Sequence, residues 1–86
     1  MPWEDAAFVL KSSKRKQVLI FLETPKTPTQ LAKAMKSSLP NISLKLGDLT
    51  KRGLVVCINP HDGKGRIYTL TDKGKEVLKA IKSMES

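Results

Sequence analysis

Side chains that could perform catalysis or hold a metal are few in this 86-residue sequence. It contains one cysteine, Cys57, and one histidine, His61, which can form no intramolecular disulfide and cannot fill a four-ligand zinc site. No nucleophile stands at catalytic spacing from a base, and no paired carboxylates suggest acid–base chemistry. We therefore expect no enzyme activity and no cofactor. His61 is interpreted as an exposed turn residue, and Cys57 as an unreactive strand residue.

Basic side chains dominate the charge. Lysine and arginine number 16 against 8 aspartate and glutamate residues, which gives a net charge of +8. Both halves of the chain are positive, and residues 11–16 (KSSKRK) hold four basic residues and no acid. Such a field attracts polyanions. With 40% hydrophobic residues the chain should also fold, and its length predicts one domain over residues 1–86.

Apolar runs are short. None is longer than five residues, as in residues 18–22, well below the roughly 18 residues of a membrane-spanning helix. Glu4 and Asp5 occupy the region where a signal peptide would carry basic residues. We therefore expect a cytoplasmic protein that does not enter a membrane.

The first half of the chain predicts four helices. Trp3, Ala7 and Leu10 recur at helical spacing and indicate a helix over residues 3–10. A second helix is expected over 13–23, before two prolines prevent its continuation. Thr27 and Gln30 form a capping box for a third helix. The fourth covers 39–52, with apolar residues at 42, 46 and 49 and a glycine stop at 53.

The second half predicts a β-hairpin and a last helix. Residues 54–58 and 66–70 have strand composition and flank a glycine-bearing tip. Thr71 then caps a helix with Val77, Leu78, Ile81 and Met84 on one side. The fold class is therefore a mainly helical α+β domain, in which helix-turn-helix and hairpin follow one another between extra terminal helices.

The fourth helix offers side chains suited to reading DNA. If its apolar residues face the core, Pro40, Asn41, Ser43, Leu44 and Lys45 point outward near its N-terminus. The DNA major groove admits one helix, where asparagine pairs with adenine, lysine binds guanine or phosphate, and an apolar side chain contacts the thymine methyl. This face is therefore the candidate for base contacts.

A family resemblance rests on four motifs in this order. They are Leu31-Ala32, Asn41-Ile42-Ser43, Gly53-Leu54-Val55 and the YTLTDKG segment over 68–74. Together they resemble the winged helix-turn-helix regulators of the MarR and ArsR type, especially small archaeal ones. The resemblance implies a recognition helix over 39–52 that enters the major groove. It also implies a wing over 59–66 that reaches phosphates or the minor groove of double-stranded DNA.

The residues expected to contact DNA come from the basic run, the helix-turn-helix and the wing. For the basic run, a solvated helix start is an equally open interpretation. The predicted contact residues are Lys14, Arg15, Thr29, Gln30, Ser38, Pro40, Asn41, Ser43, Leu44, Lys45, Lys64 and Arg66.

Apolar residues of the two terminal helices favour a homodimer. A small domain has too little surface to cover a tryptophan near its end together with the last helix. Pairing about a twofold axis would bury them. The predicted interface residues are Trp3, Ala7, Leu10, Val77, Ile81 and Met84.

The leading hypothesis is a sequence-preferring transcription regulator that binds DNA, mainly through phosphate attraction. Two other classes stay open. A winged-helix module for protein interaction would use Leu44 as a protein contact, and an RNA-binding winged helix would also use the positive charge.

Overall fold

The computed structural model of this protein describes residues 3–61 and 65–85. The mainly helical α+β fold with one hairpin is confirmed. Its elements in chain order are α1 (Trp3–Leu10), α2 (Ser13–Phe21), α3 (Pro28–Met35), α4 (Leu39–Lys51), β1 (Val55–Cys57), β2 (Tyr68–Leu70) and α5 (Asp72–Glu85).

Side-chain caps set the starts of the two central helices. Thr27 Oγ1 accepts a hydrogen bond from Gln30 N at 3.1 Å, and Gln30 Oε1 accepts one from Thr27 N at 2.8 Å. The predicted capping box is thus confirmed. Ser38 begins α4 in the same way, because its Oγ accepts from Asn41 N at 3.3 Å. These bonds satisfy backbone N–H groups that have no partner within the helix.

The end of α4 is joined to the start of α5. Gly53 takes a left-handed φ of 74°, and the N–H of Leu54 then donates to the carbonyl of Leu49 at 3.0 Å. This is the glycine stop expected after residue 52. Thr71 Oγ1 donates to Gly53 O at 2.6 Å and accepts from Gly74 N at 3.0 Å. One hydroxyl therefore caps α5 and ties it to the chain that leaves α4.

The hairpin is antiparallel, with Val55 opposite Leu70 and Cys57 opposite Tyr68. Each strand has three residues, fewer than the five predicted, because strand-forming composition extends past the residues that pair. On its other edge β2 pairs with Lys26, whose N–H and C=O both bond Tyr68, at 3.0 and 2.8 Å. The segment between α2 and α3 is thereby attached to the hairpin.

One hydrophobic core receives side chains from all five helices and from the hairpin. The face predicted for α4 is correct, because Ile42, Leu46 and Leu49 are buried, and α3 contributes Leu31 and Met35. The other buried apolar residues are Ala6, Val9, Val18, Leu19, Leu22, Leu54, Val55, Leu70, Val77, Leu78 and Ile81.

The residues predicted for a dimer interface on the two terminal helices differ in burial. In α1, Ala6 and Val9 enter the core, whereas Trp3, Ala7 and Leu10 face outward. Both sets have helical spacing, and on an eight-residue helix the spacing alone does not tell which of them packs inward. Trp3, Ala7 and Leu10, which were predicted for a dimer interface, are therefore left exposed within the monomer.

In α5 the core takes two residues that were assigned to a dimer interface. Val77 and Ile81 are fully buried within the monomer, so their surface is not available to a second copy. That part of the prediction is wrong, because α1 and α2 already cover this side of α5. Met84 lies one turn further on and stays 44% exposed. The helix α2 also ends at Phe21, two residues earlier than expected.

Candidate nucleic-acid interface

The N-terminal half of α4 projects an outward face that the rest of the domain leaves open. Ile42 and Leu46 anchor the helix in the core. Pro40, Asn41 and Ser43 are exposed, and so is Leu44, at 66%. The expected orientation of this helix is confirmed. A ridge of this kind, about one helix wide, has the dimensions of an element that enters a major groove.

A first groove runs along one side of this ridge and joins α2 to α4. It has a volume of about 200 Å³ and is lined by Lys14, Ser37, Asn41, Ile42 and Lys45. Three residues of the predicted contact set thus share one depression, although Lys14 is 27 residues away from Asn41 along the chain. We call it the Lys14 groove. Two ammonium groups beside an asparagine carboxamide are suited to binding phosphate oxygens and a base edge.

A second groove lies where α3, α4 and the base of the hairpin meet. It has a volume of about 240 Å³, and it contains Thr29, Ser43 and Arg66 from the predicted set. Gly65, at a left-handed φ of 67°, precedes Arg66 and leaves the backbone close to the helices. We call it the Arg66 groove. Its complete lining is Thr27, Pro28, Thr29, Leu39, Ser43, Gly65 and Arg66.

Several lysines around α3 and α4 keep their charge uncompensated within the domain. Among residues 3–61 and 65–85, ion pairs engage Arg15, Lys16, Arg52, Lys73 and Lys82. None of the lysines of the helix-turn-helix takes part in these pairs. Within the part of the chain that the structure describes, the lysines on this side of the molecule without an acidic partner are Lys14, Lys33, Lys36 and Lys45. Such charges are available for phosphates.

Arg15, which was also predicted to contact DNA, does not belong to this available set, because its side chain is engaged within the domain. Its guanidinium donates to the Phe8 carbonyl at 2.9 Å, covers the Phe8 ring at 3.9 Å and pairs with Asp48 at 3.6 Å. Only 19% of the side chain is exposed. Lys14 and Arg15 are adjacent in sequence, but a helix turns about 100° per residue, so one faces the groove and the other faces α1.

Of three further residues that were predicted to contact DNA, two are helix caps and one lies outside the described residues. The Gln30 carboxamide oxygen and the Ser38 hydroxyl both serve as helix caps, and neither residue lines a groove described above. Lys64 lies outside the described residues. Leu39, the first residue of α4, was not among the predicted residues, and it is 46% exposed in the Arg66 groove. Its position directly after the N-cap was a usable signal, because first-turn residues lie at the open end of a helix.

The other side chains that could hold a metal ion do not cluster in the described ranges. Within the described ranges, no group of three or more His, Cys, Asp or Glu side chains is arranged to hold a metal ion. The same part of the chain has no helix with the length and apolarity needed to cross a bilayer. A larger depression of about 370 Å³ lies between the end of α2, β2 and α5, and no predicted DNA-contact residue lines it.

Comparison with known proteins places this geometry among solved regulators. No protein-family model and no curated protein sequence matches the chain. A structure of a MarR family transcription regulator is 26% identical, with a TM-score of 0.75 over 86% of this chain and 51% of that chain. Lactococcus lactis ZitR, in mutant form, is 22% identical, with a TM-score of 0.77 over 86% of this chain and 52% of that one.

A structure of S. aureus MepR in complex with DNA is 22% identical, with a TM-score of 0.76. The match covers 86% of this chain and 64% of MepR. The chain thus spans between about half and two thirds of the length of these regulators. S. aureus and L. lactis are bacteria, and the expected likeness to small archaeal members stays a prediction. The fold of this chain is the winged helix-turn-helix of MarR-type regulators.

Proposed function

We propose that residues 1–86 form the DNA-binding domain of a transcriptional regulator. The observation that carries the proposal is the position of the two grooves on either side of the exposed ridge of α4. They gather Lys14, Asn41 and Lys45 on one side and Thr29, Ser43 and Arg66 on the other, from four separate elements. The solved complex of MepR with DNA, which has this fold, supports the assignment. We place its action in the cytoplasm, at double-stranded DNA.

The first experiment is a titration with duplex DNA, with single-stranded RNA of equal length and with neither, at several salt concentrations. Phosphate contacts by the lysines without an acidic partner and by Arg66 predict that log affinity for the duplex falls by about 0.9 per contact for each unit of log salt. Tighter binding to RNA than to duplex would identify an RNA-binding winged helix. Affinity that does not depend on salt would overturn the proposal.

Base preference is assigned to the ridge between the grooves. Asn41 and Lys45 line the Lys14 groove near the N-terminus of α4, where side chains reach base edges. Asn41→Ala and Lys45→Ala should each change the ranking of duplexes selected from a randomised library. Lys33→Ala is the control, because this exposed lysine of α3 lines neither groove. An unchanged ranking in both test variants would contradict base reading here.

A protein-interaction module is the second candidate function. Leu44 at 66% exposure and Leu39 at 46% place two large apolar side chains on the ridge, where a partner protein would find an anchor. Leu44→Ala separates the two functions. For a DNA reader the variant loses preference for thymine at one position and keeps its salt slope. If the domain is instead a protein-interaction module, it binds DNA without base preference, and Leu44→Ala changes neither the affinity nor the preference.

We further propose a homodimer through the exposed stripe of α1. This stripe consists of Trp3 at 57% exposure together with Ala7 and Leu10, and Met84 at the end of α5 is also exposed. Burial of these side chains about a twofold axis could set two recognition helices about 34 Å apart, one turn of DNA. Sedimentation at micromolar concentration should report a dimer, and Trp3→Ala with Met84→Asp should report a folded monomer. A wild-type monomer that binds DNA singly would exclude this arrangement.

A further inference from the structure

The carboxamide of Asn59 bridges the two arms of the hairpin just beyond the strands. Its Oδ1 accepts a hydrogen bond from Ile67 N at 2.7 Å, and its Nδ2 donates to Gly65 O at 3.2 Å. Cys57 Sγ also lies 3.6 Å from the same oxygen. One side chain thus holds the segment that leads out of β1 to the segment that leads into β2.

The Asn59 side chain replaces one backbone hydrogen bond of the antiparallel strand pair. Ile58 N donates to Ile67 O at 2.8 Å. In a regular antiparallel pair the N–H of Ile67 would return a bond to the carbonyl of Ile58. Here that N–H donates to Asn59 instead. The regular ladder therefore ends at this pair, and Asn59 determines how the returning arm continues.

The returning arm begins with the residues that line the Arg66 groove. Gly65, whose carbonyl is held by Asn59, takes a left-handed φ of 67°. Arg66 follows it, between two residues that Asn59 holds, and lies in a groove with Thr29 and Ser43. We propose that Asn59 is a positioning residue that sets Arg66 beside α4, so that the guanidinium reaches a phosphate of DNA bound there. This inference rests on the proposed function.

The chemistry of the bridge explains why asparagine serves here. The side chain must accept from one backbone N–H and donate to one backbone carbonyl at the same time. A carboxamide supplies both groups, whereas a carboxylate only accepts and a methyl group does neither. Asn59→Ala therefore releases both arms without changing the charge of the protein.

The experiment measures the salt dependence of duplex binding for wild type, Asn59→Ala, Arg66→Ala and the double variant. Arg66→Ala should lower the slope of log affinity against log salt by about 0.9. Asn59→Ala should lower it by most of that amount, although no charge is removed. The double variant should bind no more weakly than Arg66→Ala, because Asn59 acts through Arg66. Val56→Thr, at an exposed position on β1, is the matched control and should leave the slope unchanged.

A second readout checks the bridge without DNA. Amide hydrogen exchange at Ile67 should become faster in Asn59→Ala and stay unchanged in Arg66→Ala. Should Asn59→Ala melt below the assay temperature, Asn59→Asp replaces it, because a carboxylate still accepts from Ile67 N and cannot donate to Gly65 O. His61→Asp then serves as the control for the added negative charge, and the slope should fall further for Asn59→Asp.

The outcomes separate this inference from the proposed function. Wild-type protein without salt-dependent duplex binding overturns both. If wild type binds and Arg66→Ala lowers the slope, an unchanged slope in Asn59→Ala overturns the positioning role alone. The positioning role is also overturned if the two single losses of affinity add in the double variant, or if the slope of Arg66→Ala equals that of wild type.

Discussion

The two ends of α4 differ in how they are held. At the N-terminal end the outward side chains of Asn41, Ser43 and Leu44 are exposed, and only the backbone is capped, by Ser38. At the C-terminal end Asp48 pairs with Arg15 at 3.6 Å, and Arg52 pairs with the buried Asp5 at 3.4 Å. The same helix therefore has one end open to a partner and one end connected to the domain.

The connected end is organised around an aromatic ring. Phe8 of α1 lies between the guanidinium groups of Arg15 and Arg52, at 3.9 and 4.2 Å from the ring centroid. Lys73 adds an ion pair to Asp5 at 3.3 Å and donates to the Arg52 carbonyl at 3.0 Å. The cations in these contacts are paired within the domain. These contacts connect the C-terminal end of α4 to α1 and α5. The N-terminal end of α4 therefore projects from a fixed support.

The largest effect should come from the connected end, at Gly74. A Cβ built on this residue would lie 2.0 Å from the carbonyl oxygen of Leu54, directly after the α4 stop. Backbone cannot move aside cheaply, so Gly74→Ala should destabilise the fold by more than the roughly 1–3 kcal/mol typical of overpacking. Urea denaturation checks this. A urea midpoint equal to that of wild type would show that the start of α5 is not in close contact with the residue that follows α4.

Removal of the ring should have the next largest effect. Phe8→Ala deletes a half-buried side chain and the surface on which both guanidinium groups lie, and should cost about 2–3 kcal/mol. Thermal melting monitored by circular dichroism measures it. Leu44→Ala is the control from the open end and should stay within about 0.5 kcal/mol of wild type. Equal losses in the two variants would remove the contrast between the ends.

The neighbours Lys14 and Arg15 give the sharpest test of the division. Arg15→Ala should lower the free energy of unfolding by about 1–2 kcal/mol, because it loses a ring contact, a carbonyl bond and a partly exposed ion pair. Its salt slope for DNA binding should not change. Lys14→Ala should do the reverse, with stability within about 0.5 kcal/mol of wild type and a slope lower by about 0.9. An exchange of these two results would place the basic run the other way round.

The smallest expected effect is a gain in stability at Gly47. This helix residue is exposed, and outside its own helix turn no described residue lies within 4 Å of the point that a Cβ would occupy. Gly47→Ala should raise the free energy of unfolding by about 1 kcal/mol through helix propensity. Chemical denaturation measures the gain. A loss of stability would mean that this face of α4 is covered within the domain.

Much of the fold was predictable because its signals are local. The capping box of Thr27 and Gln30, the cap that Thr71 provides for Gly74 N and the stop at Gly53 each act within three or four residues of the backbone groups that they satisfy. The buried spacing of Ile42, Leu46 and Leu49 is equally a property of one helix. Hydrogen bonding and helical periodicity decide such features before any element meets another.

The site was predictable in part, for the same reason. The outward face of α4 followed from the buried one, so Asn41, Ser43 and Leu44 were identified. The role of Arg15 was not, since it depends on Phe8 and Asp48, which belong to two other helices. Nor did the sequence predict that Asn59 spans the hairpin, because its partners are set by how two strands separate.

By itself, then, the sequence determined the helices, their caps, the core face of α4 and the excess of positive charge. Only the tertiary structure decided which side of α1 enters the core, which member of the basic run stays outside, and which residues share a groove. The physical reason is range. Asp5 and Arg52 meet across 47 positions of the chain, and such a contact exists only once the elements between them have packed into one core.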